Sequence, residues 1–259
     1  MTLILAIKCK DGIVMASDGQ ATGISTGGPI RQKCKKIFKL SNNVLLGASG
    51  TFGVIQRCRD SIKIYADKIS SEGINSLIEE KTSKNKVKMI TVRDKIREII
   101  FSINKVEKER HKTFYEKERG APLADILLAF YDPKEDMFRI WHVAPDGGEE
   151  FLDELGYGCS GVGDTFAYTF LKNYYKEDLK VKQGKIIAYR VIKDAIEVGA
   201  YGLGEPIDIW ILKRGKNNII NKELSQEELM GLEDTYRAWR EFENKVFRKI
   251  WGEEDGKAG

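Results

Sequence analysis

The chain has 259 residues, of which 42% are hydrophobic and 32% charged, so it is long and apolar enough to fold around a substantial core. Its 43 Lys and Arg residues only slightly outnumber its 39 Asp and Glu residues, and no dense basic block with interleaved aromatic residues supports nucleic-acid binding. The apolar run at the N-terminus is too short for a signal peptide, and no window reaches the roughly 18 apolar residues of a membrane span. We therefore expect a cytoplasmic protein with neither nucleic acid nor membrane as a partner.

The cysteines and histidines limit the chemistry that the chain can use. The four cysteines are scattered and form no CxxC pair, which in a cytoplasmic protein is typical of buried free thiols. There are only two histidines: His111 lies in a charged stretch and His142 in an alternating, strand-like run. Both contexts favour structural roles, so a general base other than histidine is expected, with no metal or organic cofactor.

The first fifty residues predict an antiparallel sheet. Asp11-Gly12 is a strong signal for a tight hairpin between two runs rich in Ile, Val and Leu. A Gly-rich loop is predicted over 19–29, after which the alternating pattern returns. The strands predicted here are 2–9, 12–17, 36–40 and 44–48.

Helical spacing and a second β block follow. Two helices are predicted near 54–66 and 89–107, with a polar segment over 70–88 that is partly a loop. The later predicted strands are 126–131, 138–143 and 207–212, and the later predicted helices are 164–175, 184–199 and 225–251. Two β blocks, each followed by two helices, predict an α+β fold of four layers, an αββα sandwich. We assign 1–215 to this domain and 216–259 to a C-terminal helical extension.

The N-terminal residues resemble a known family. Thr2 begins a strand that reaches the Asp11-Gly12 hairpin and returns to DGQAT at 18–22, followed by KKIFKL at 35–40 and LLGASG at 45–50. Position, order and spacing are similar to those of mature proteasome β subunits and bacterial HslV, which are N-terminal-nucleophile (Ntn) hydrolases. The resemblance is close over 2–58, weaker through the second half and absent beyond about residue 215.

The resemblance implies a role for particular residues. Thr2 is the nucleophile once Met1 is removed, Lys36 is the buried lysine beside it, and Asp18 is the carboxylate paired with that lysine. Gly47 supplies its backbone N–H to the oxyanion. A threonine hydroxyl needs a base, and the free α-amine of an N-terminal residue, with a pKa of about 7.7–8.0, can serve as one.

The choice of lysine and the supporting residues of the second half leave alternatives open. Lys33 and Lys35 compete with Lys36 for the lysine role. Proteasome β subunits place a supporting Ser in a Gly-Ser-Gly turn, whereas the simplest alignment places Val162 there. Ser160 or Asp164 can substitute if the register shifts, and Ser160 is included among the candidate catalytic residues. The stretch 200–206 offers no match for the Asp and Ser that the family carries before its last core strand.

The resemblance implies a threonine-type peptidase that cleaves peptide or protein substrates through an acyl-enzyme on Thr2. It also implies a homo-oligomer, and it is compatible with an ATPase or regulatory partner. Two alternatives stay open. A peptide ligase or transpeptidase on the same fold would pass the acyl group to an amine, and a non-catalytic scaffold subunit would keep the fold without the chemistry.

Overall fold

The computed structural model describes residues 2–25, 28–69, 92–115, 123–199 and 202–251. The chain divides into two compact units, Met1–Glu223 and Leu224–Gly259. All the described strands lie in the first unit, together with the first four helices, and the second unit contains one long helix.

The first unit alternates blocks of strands and helices in the order that the sequence predicts. Its described strands are β1 (Ile4–Cys9), β2 (Gly12–Asp18), β3 (Gln20–Ser25), β4 (Gly28–Lys33), β5 (Ile37–Ser41), β6 (Val44–Gly50), β7 (Ala124–Asp132), β8 (Met137–Val143), β9 (Glu149–Phe151), β10 (Tyr157–Ser160), β11 (Ile207–Arg214) and β12 (Ile219–Glu223). Its described helices are α1 (Phe52–Ile69), α2 (Val92–Tyr115), α3 (Asp164–Tyr174) and α4 (Val181–Val198). The second unit contributes α5 (Gln226–Ile250), which begins with a capping box at Ser225 and Glu228.

The strands form two five-stranded antiparallel sheets and one small hairpin. The first sheet has the order β10-β1-β2-β11-β12 and the second the order β5-β6-β7-β8-β9, while β3 and β4 pair, among the described strands, with each other alone. In the first sheet Ile4 is opposite Ser17 on one side and Ser160 on the other. This register places the start of β1 between the ends of β2 and β10.

The two sheets pack face to face, and a pair of helices covers each outer face. Helices α3 and α4 lie on the first sheet, and α1 lies on the second sheet with α2 beside it. The inter-sheet core includes Ile4, Met15, Leu45, Leu127 and Ile140, all fully buried. The predicted α+β fold, a four-layer αββα sandwich, is therefore confirmed.

The first two strands are central in their sheet, and their sequences show why. Strand β2 is buried along its whole length, and β1 is buried at every position but one. One face of these strands meets the second sheet and the other meets α4. Burial on both faces explains the continuous apolar runs, which lack the alternation expected of a strand with one face in solvent.

The fold differs from the sequence prediction in three places. The predicted Gly-rich loop over 19–29 is largely the hairpin of β3 and β4, whose polar, Gly-containing strands carry no alternating pattern. The short edge strand β9 was not predicted. Residues 219–223, assigned from sequence to a helical extension, form edge strand β12 beside β11.

The domain boundary at 215 stays a prediction, and the predicted loop over 70–88 lies outside the described residues. Among the described helices, none is long and apolar enough to cross a membrane.

The start of β7 depends on a side chain from α2. The buried Asn104 donates a hydrogen bond from Nδ2 to the carbonyl oxygen of Ala124 at 2.8 Å and accepts one at Oδ1 from the N–H of Ala124 at 2.7 Å. We expect Asn104→Leu to lower the free energy of unfolding by about 2–3 kcal/mol, because both backbone groups lose their partner. Urea unfolding measures the change. The matched control, Asn173→Leu at an exposed site on α3, should stay within about 0.5 kcal/mol; equal effects would contradict the assignment.

Candidate active site

A buried ion pair lies at the end of β2. Lys36 Nζ donates to Asp18 Oδ1 at 2.6 Å, and the two side chains are 5% and 0% exposed. The same oxygen accepts the N–H of Leu3 at 2.9 Å, while Asp18 Oδ2 accepts the N–H groups of Gln20 and Gly204, each at 3.3 Å. The carboxylate is thus surrounded by donors, which offset the cost of burying its charge.

The structure brings Lys36 to Asp18, in preference to the two competing lysines. Lys35 Nζ donates instead to both carboxylate oxygens of Glu223, at 2.9 and 2.7 Å, and Lys33 lies exposed at the end of β4. Burial lowers the pKa of Lys36, and the opposing attraction of Asp18 does not cancel the effect. An ammonium group with a lowered pKa is a stronger hydrogen-bond donor to a neighbouring oxygen than an ordinary surface lysine.

Thr2 lies beside this pair at the edge of a cleft of about 330 Å³. Two hydrogen bonds join the residue after Thr2 to Asp18. The N–H of Leu3 donates to the Asp18 side chain, and the N–H of Asp18 donates to the Leu3 carbonyl at 3.2 Å. Thr2 is 7% exposed. The cleft residues that matter here are Thr2, Thr22, Cys34, Lys36, Gly50 and Phe52.

The structure does not bring Gly47 to this cleft. A Cβ built on Gly47 would lie 2.8 Å from Ile4 Cγ2 and 3.2 Å from Met15 Sδ, so the residue faces the inter-sheet core. The N–H groups of a strand point alternately to its two neighbours. Because Ala48 N–H donates to the Lys36 carbonyl on the β5 side, the N–H of Gly47 points the other way, to β7.

Gly50, and not Gly47, is the glycine of β6 that borders the cleft beside Thr2. It lines the cleft with Thr2 and shares the β5-facing side of β6 with Ala48, beyond the point at which β5 begins. Its φ of 116° is in the region that favours glycine, and a Cβ there would collide with the Leu123 carbonyl. Gly50 is the last residue of β6 and borders the cleft.

Ser160, at the end of β10, connects the two sheets. Its Oγ donates to Asp125 Oδ2 at 2.7 Å and lies 2.7 Å from Ser49 Oγ, and the residue is 1% exposed. Ser49 and Asp125 are directly opposite each other on β6 and β7. The adjacent Gly161 touches Thr2, because a Cβ on it would collide with the Thr2 carbonyl oxygen. Because β10 and β2 border β1 on opposite sides, Ser160 and Asp18 flank the start of β1 from opposite sides.

The histidine of this network does not form a catalytic triad with Ser160. His142 Nε2 lies 2.7 Å from Asp125 Oδ1, so Asp125 separates the serine from the histidine. A histidine that activates a serine must contact its hydroxyl directly. The other candidates for the supporting role are farther from this arrangement: the side chain of Val162 is 51% exposed, and Asp164 Oδ1 accepts from the hydroxyl of Thr165 at 3.1 Å.

Three residues of the site were missed by the sequence analysis. Gly50 was quoted within LLGASG but assigned no role, and Ser49 and Asp125 lie in or beside ordinary strand patterns that carry no signal for an active site. Of the four cysteines, all free, Cys34 differs from the expectation because it is only partly buried and lines the cleft. In the part of the chain that the structure describes, no group of three or more His, Cys, Asp or Glu side chains could hold a metal ion.

We expect Lys36→Met to lower the free energy of unfolding by about 3–5 kcal/mol, because it leaves Asp18 charged and buried without its partner. Adding Asp18→Asn should restore part of that loss. Chemical denaturation of the two variants and the double variant measures both effects. Lys39→Met, on the exposed side of β5, is the matched control and should change little. A double variant no more stable than Lys36→Met would contradict the assignment of a coupled pair.

Comparison with known proteins identifies the family of the chain. The family profile described as "Proteasome subunit" matches residues 2–103 and 97–212. The chain is 23% identical over 236 residues to proteasome subunit beta 1 of Thermococcus kodakarensis (89% of this chain, 96% of the relative) and 27% identical over 229 residues to proteasome subunit beta 2 of Nitrosopumilus maritimus (86% and 90%). It is 24% identical over 223 residues to a proteasome subunit beta of Methanococcus maripaludis strain C7 (86% and 88%). The chain therefore belongs to the proteasome subunit family, as a β-type member of the Ntn-hydrolase class.

Proposed function

We propose that this protein is a threonine-dependent Ntn peptidase whose nucleophile is Thr2 after removal of Met1. The observation that carries the proposal is the buried Asp18–Lys36 pair beside Thr2, at the edge of an open cleft. A buried charge pair is weak evidence for stability alone, since apolar residues of similar size serve as well. In the proposed enzyme, the lysine ammonium has a chemical use, because it stabilises the negative charge that develops on the Thr2 hydroxyl oxygen.

The first half of the reaction forms an acyl-enzyme. The free α-amine of Thr2 takes the hydroxyl proton, and Thr2 Oγ attacks the carbonyl carbon of a peptide bond. The Lys36 ammonium lies on the cleft side and stabilises the negative charge that develops on Oγ. The amine returns its proton to the leaving nitrogen as the C–N bond breaks, which leaves an ester on Thr2.

The tetrahedral oxyanion needs a backbone donor on the cleft side of Thr2. We propose the N–H of Gly50 for this role in place of Gly47, because Gly50 lines the cleft and Gly47 faces the inter-sheet core. One such donor contributes about 3–4 kcal/mol to stabilising the transition state. Water then attacks the ester with the same α-amine as its base, and the acid product leaves. Because the proposed steps need only these groups, we propose no cofactor.

The assembly and location of the protein are also proposals. The relatives are named as proteasome subunits, which supports a homo-oligomer that acts on peptides or proteins. We also propose a cytoplasmic location and an ATPase or regulatory partner. If an amine replaces water at the ester, the same residues catalyse transpeptidation.

The test is an intact-mass measurement on purified protein before and after treatment with a β-lactone or epoxyketone directed at N-terminal threonine. We expect loss of the Met1 mass and one stoichiometric adduct, and we expect Thr2→Ala to form none. Thr22→Ala is the matched control, because it removes another threonine that lines the same cleft. A processed Thr2 that never reacts would contradict the proposal and favour the non-catalytic scaffold.

Hydrolysis and transpeptidation can be separated on the active protein. A peptide substrate cleaved in water enriched in oxygen-18 should gain one heavy oxygen in its acid product, because water resolves the ester. Mass spectrometry of the products measures the incorporation. The same reaction with an added amine peptide checks the alternative, since a product joined to that peptide without heavy oxygen would identify a transpeptidase.

A further inference from the structure

The network behind Thr2 has a fixed direction of hydrogen bonding. A carboxylate only accepts hydrogen bonds, so both neighbours of Asp125 must donate to it. Ser160 donates its O–H to Oδ2 and His142 donates from Nε2 to Oδ1, each at 2.7 Å. The Asp125 side chain is 25% exposed, and that of His142 is 23% exposed.

The donation from Ser160 to Asp125 determines whether the two buried serines donate or accept further hydrogen bonds. A serine hydroxyl has one proton and two acceptor sites. Because the proton of Ser160 is committed to Asp125, Ser160 accepts from Ser49 in their 2.7 Å contact, and Ser49 is the donor. The pair therefore offers lone pairs rather than protons to any further neighbour.

The neighbour in reach is the main chain of Thr2. Ser160 is opposite Ile4 in the β1–β10 register, and Gly161 touches the Thr2 carbonyl. A Cβ on Gly161 would also lie 3.3 Å from Ser49 Cβ, so Thr2, Gly161 and Ser49 meet at one point. The serine acceptors thus border the start of β1 from the β10 side, while the Asp18–Lys36 pair borders it from the β2 side.

We propose that Asp125 is a positioning residue of the proposed reaction: through Ser160 it holds a buried acceptor, shared with Ser49, for the α-amine of Thr2. The inference rests on the proposed function and deepens it, because it assigns what orients the base. Hydrogen bonds accepted from an ammonium group stabilise its charged form and raise its pKa. Asp125, contributed by β7, thus supplies a carboxylate to the site from a strand whose sequence pattern carries no active-site signal.

His142 holds Asp125 in place from the outer side. Its charged neighbours are Asp125 on β7, Glu150 on β9, whose Oε1 is 3.9 Å from Nδ1, and Asp164 on α3. Burial lowers the pKa of His142, but the hydrogen bond to Asp125 and the three carboxylates outweigh it, so the pKa is raised. Since Nε2–H donates in both the neutral and charged forms, His142 can hold Asp125 through neutral pH.

The experiment measures the pKa of the Thr2 α-amine without relying on catalysis. Protein with Thr2 exposed by removal of a cleavable N-terminal fusion is labelled by competitive acetylation across pH, and mass spectrometry quantifies the N-terminal peptide. We expect Asp125→Asn to lower this pKa by about one unit, equivalent to about tenfold in the protonation equilibrium. Asp60→Asn, a surface carboxylate of α1 that is 57% exposed, is the control and should leave it unchanged.

A double-variant cycle tests whether Asp125 acts through Ser160. Ser160→Ala should lower the amine pKa by itself, and adding Asp125→Asn to it should produce a much smaller shift than Asp125→Asn produces alone. Equal shifts in the two backgrounds would overturn the positioning role, as would an unchanged pKa in folded Asp125→Asn. Ser49→Ala provides a further folded variant, with a smaller shift of the same sign expected.

The outcome separates this inference from the proposed function. The amine pKa is measurable whether or not Thr2 reacts, so a shifted pKa in an unreactive protein would uphold the positioning role and reject the peptidase. An unshifted pKa in a protein that still forms the β-lactone adduct would reject the positioning role alone. In an active protein, the acid limb of the pH profile for adduct formation should move to lower pH in Asp125→Asn, in step with the amine.

Discussion

The site depends on burying one charged pair where three segments of chain meet. Asp18 ends β2, Lys36 precedes β5, and the N–H of Leu3 ties the start of β1 to the same carboxylate. Such a pair is tolerated only when its hydrogen bonds are nearly complete, and Asp18 accepts one bond from lysine and three from backbone N–H groups. The requirement fixes the position of Thr2, because the residue before Leu3 has little freedom to move.

The sandwich supplies the other side of the site. Two sheets packed through an apolar core bring the end of β10 against β6 and β7, where Ser160 meets Ser49 and Asp125. Polar groups at such depth are stable only as a satisfied network, and here each hydroxyl has a partner. The start of β1 thus lies between the Asp18–Lys36 pair and the Ser160 network, an arrangement that is compatible with the proposed use of the Thr2 α-amine as a base.

Residue patterns near the N-terminus carried most of what could be predicted. The apolar runs on either side of Asp11-Gly12 predicted the first hairpin, and the family resemblance carried by Thr2, Asp18 and Lys36 implied the charged pair. Gly47 and Gly50 could not be separated in this way, because both fit a glycine-containing turn after an apolar strand. Only the direction of the strand N–H groups and the left-handed φ of Gly50 distinguish them. The β3–β4 hairpin was hidden because its glycines and polar residues are typical of a loop.

By itself, the sequence determined the layer order, the family, and the candidate residues Thr2, Asp18 and Lys36 near the N-terminal strands. These depend on local periodicity and on the spacing of residues along the chain. The tertiary structure decided which lysine reaches Asp18 and which glycine borders the cleft. It also decided that Ser160 contacts Asp125 and that Asp125 contacts His142. The Asp18–Lys36 pair joins residues 18 positions apart, and the contact of Ser160 with Asp125 joins residues 35 positions apart. They depend on how two sheets are stacked, and no pattern within a single segment contains that information.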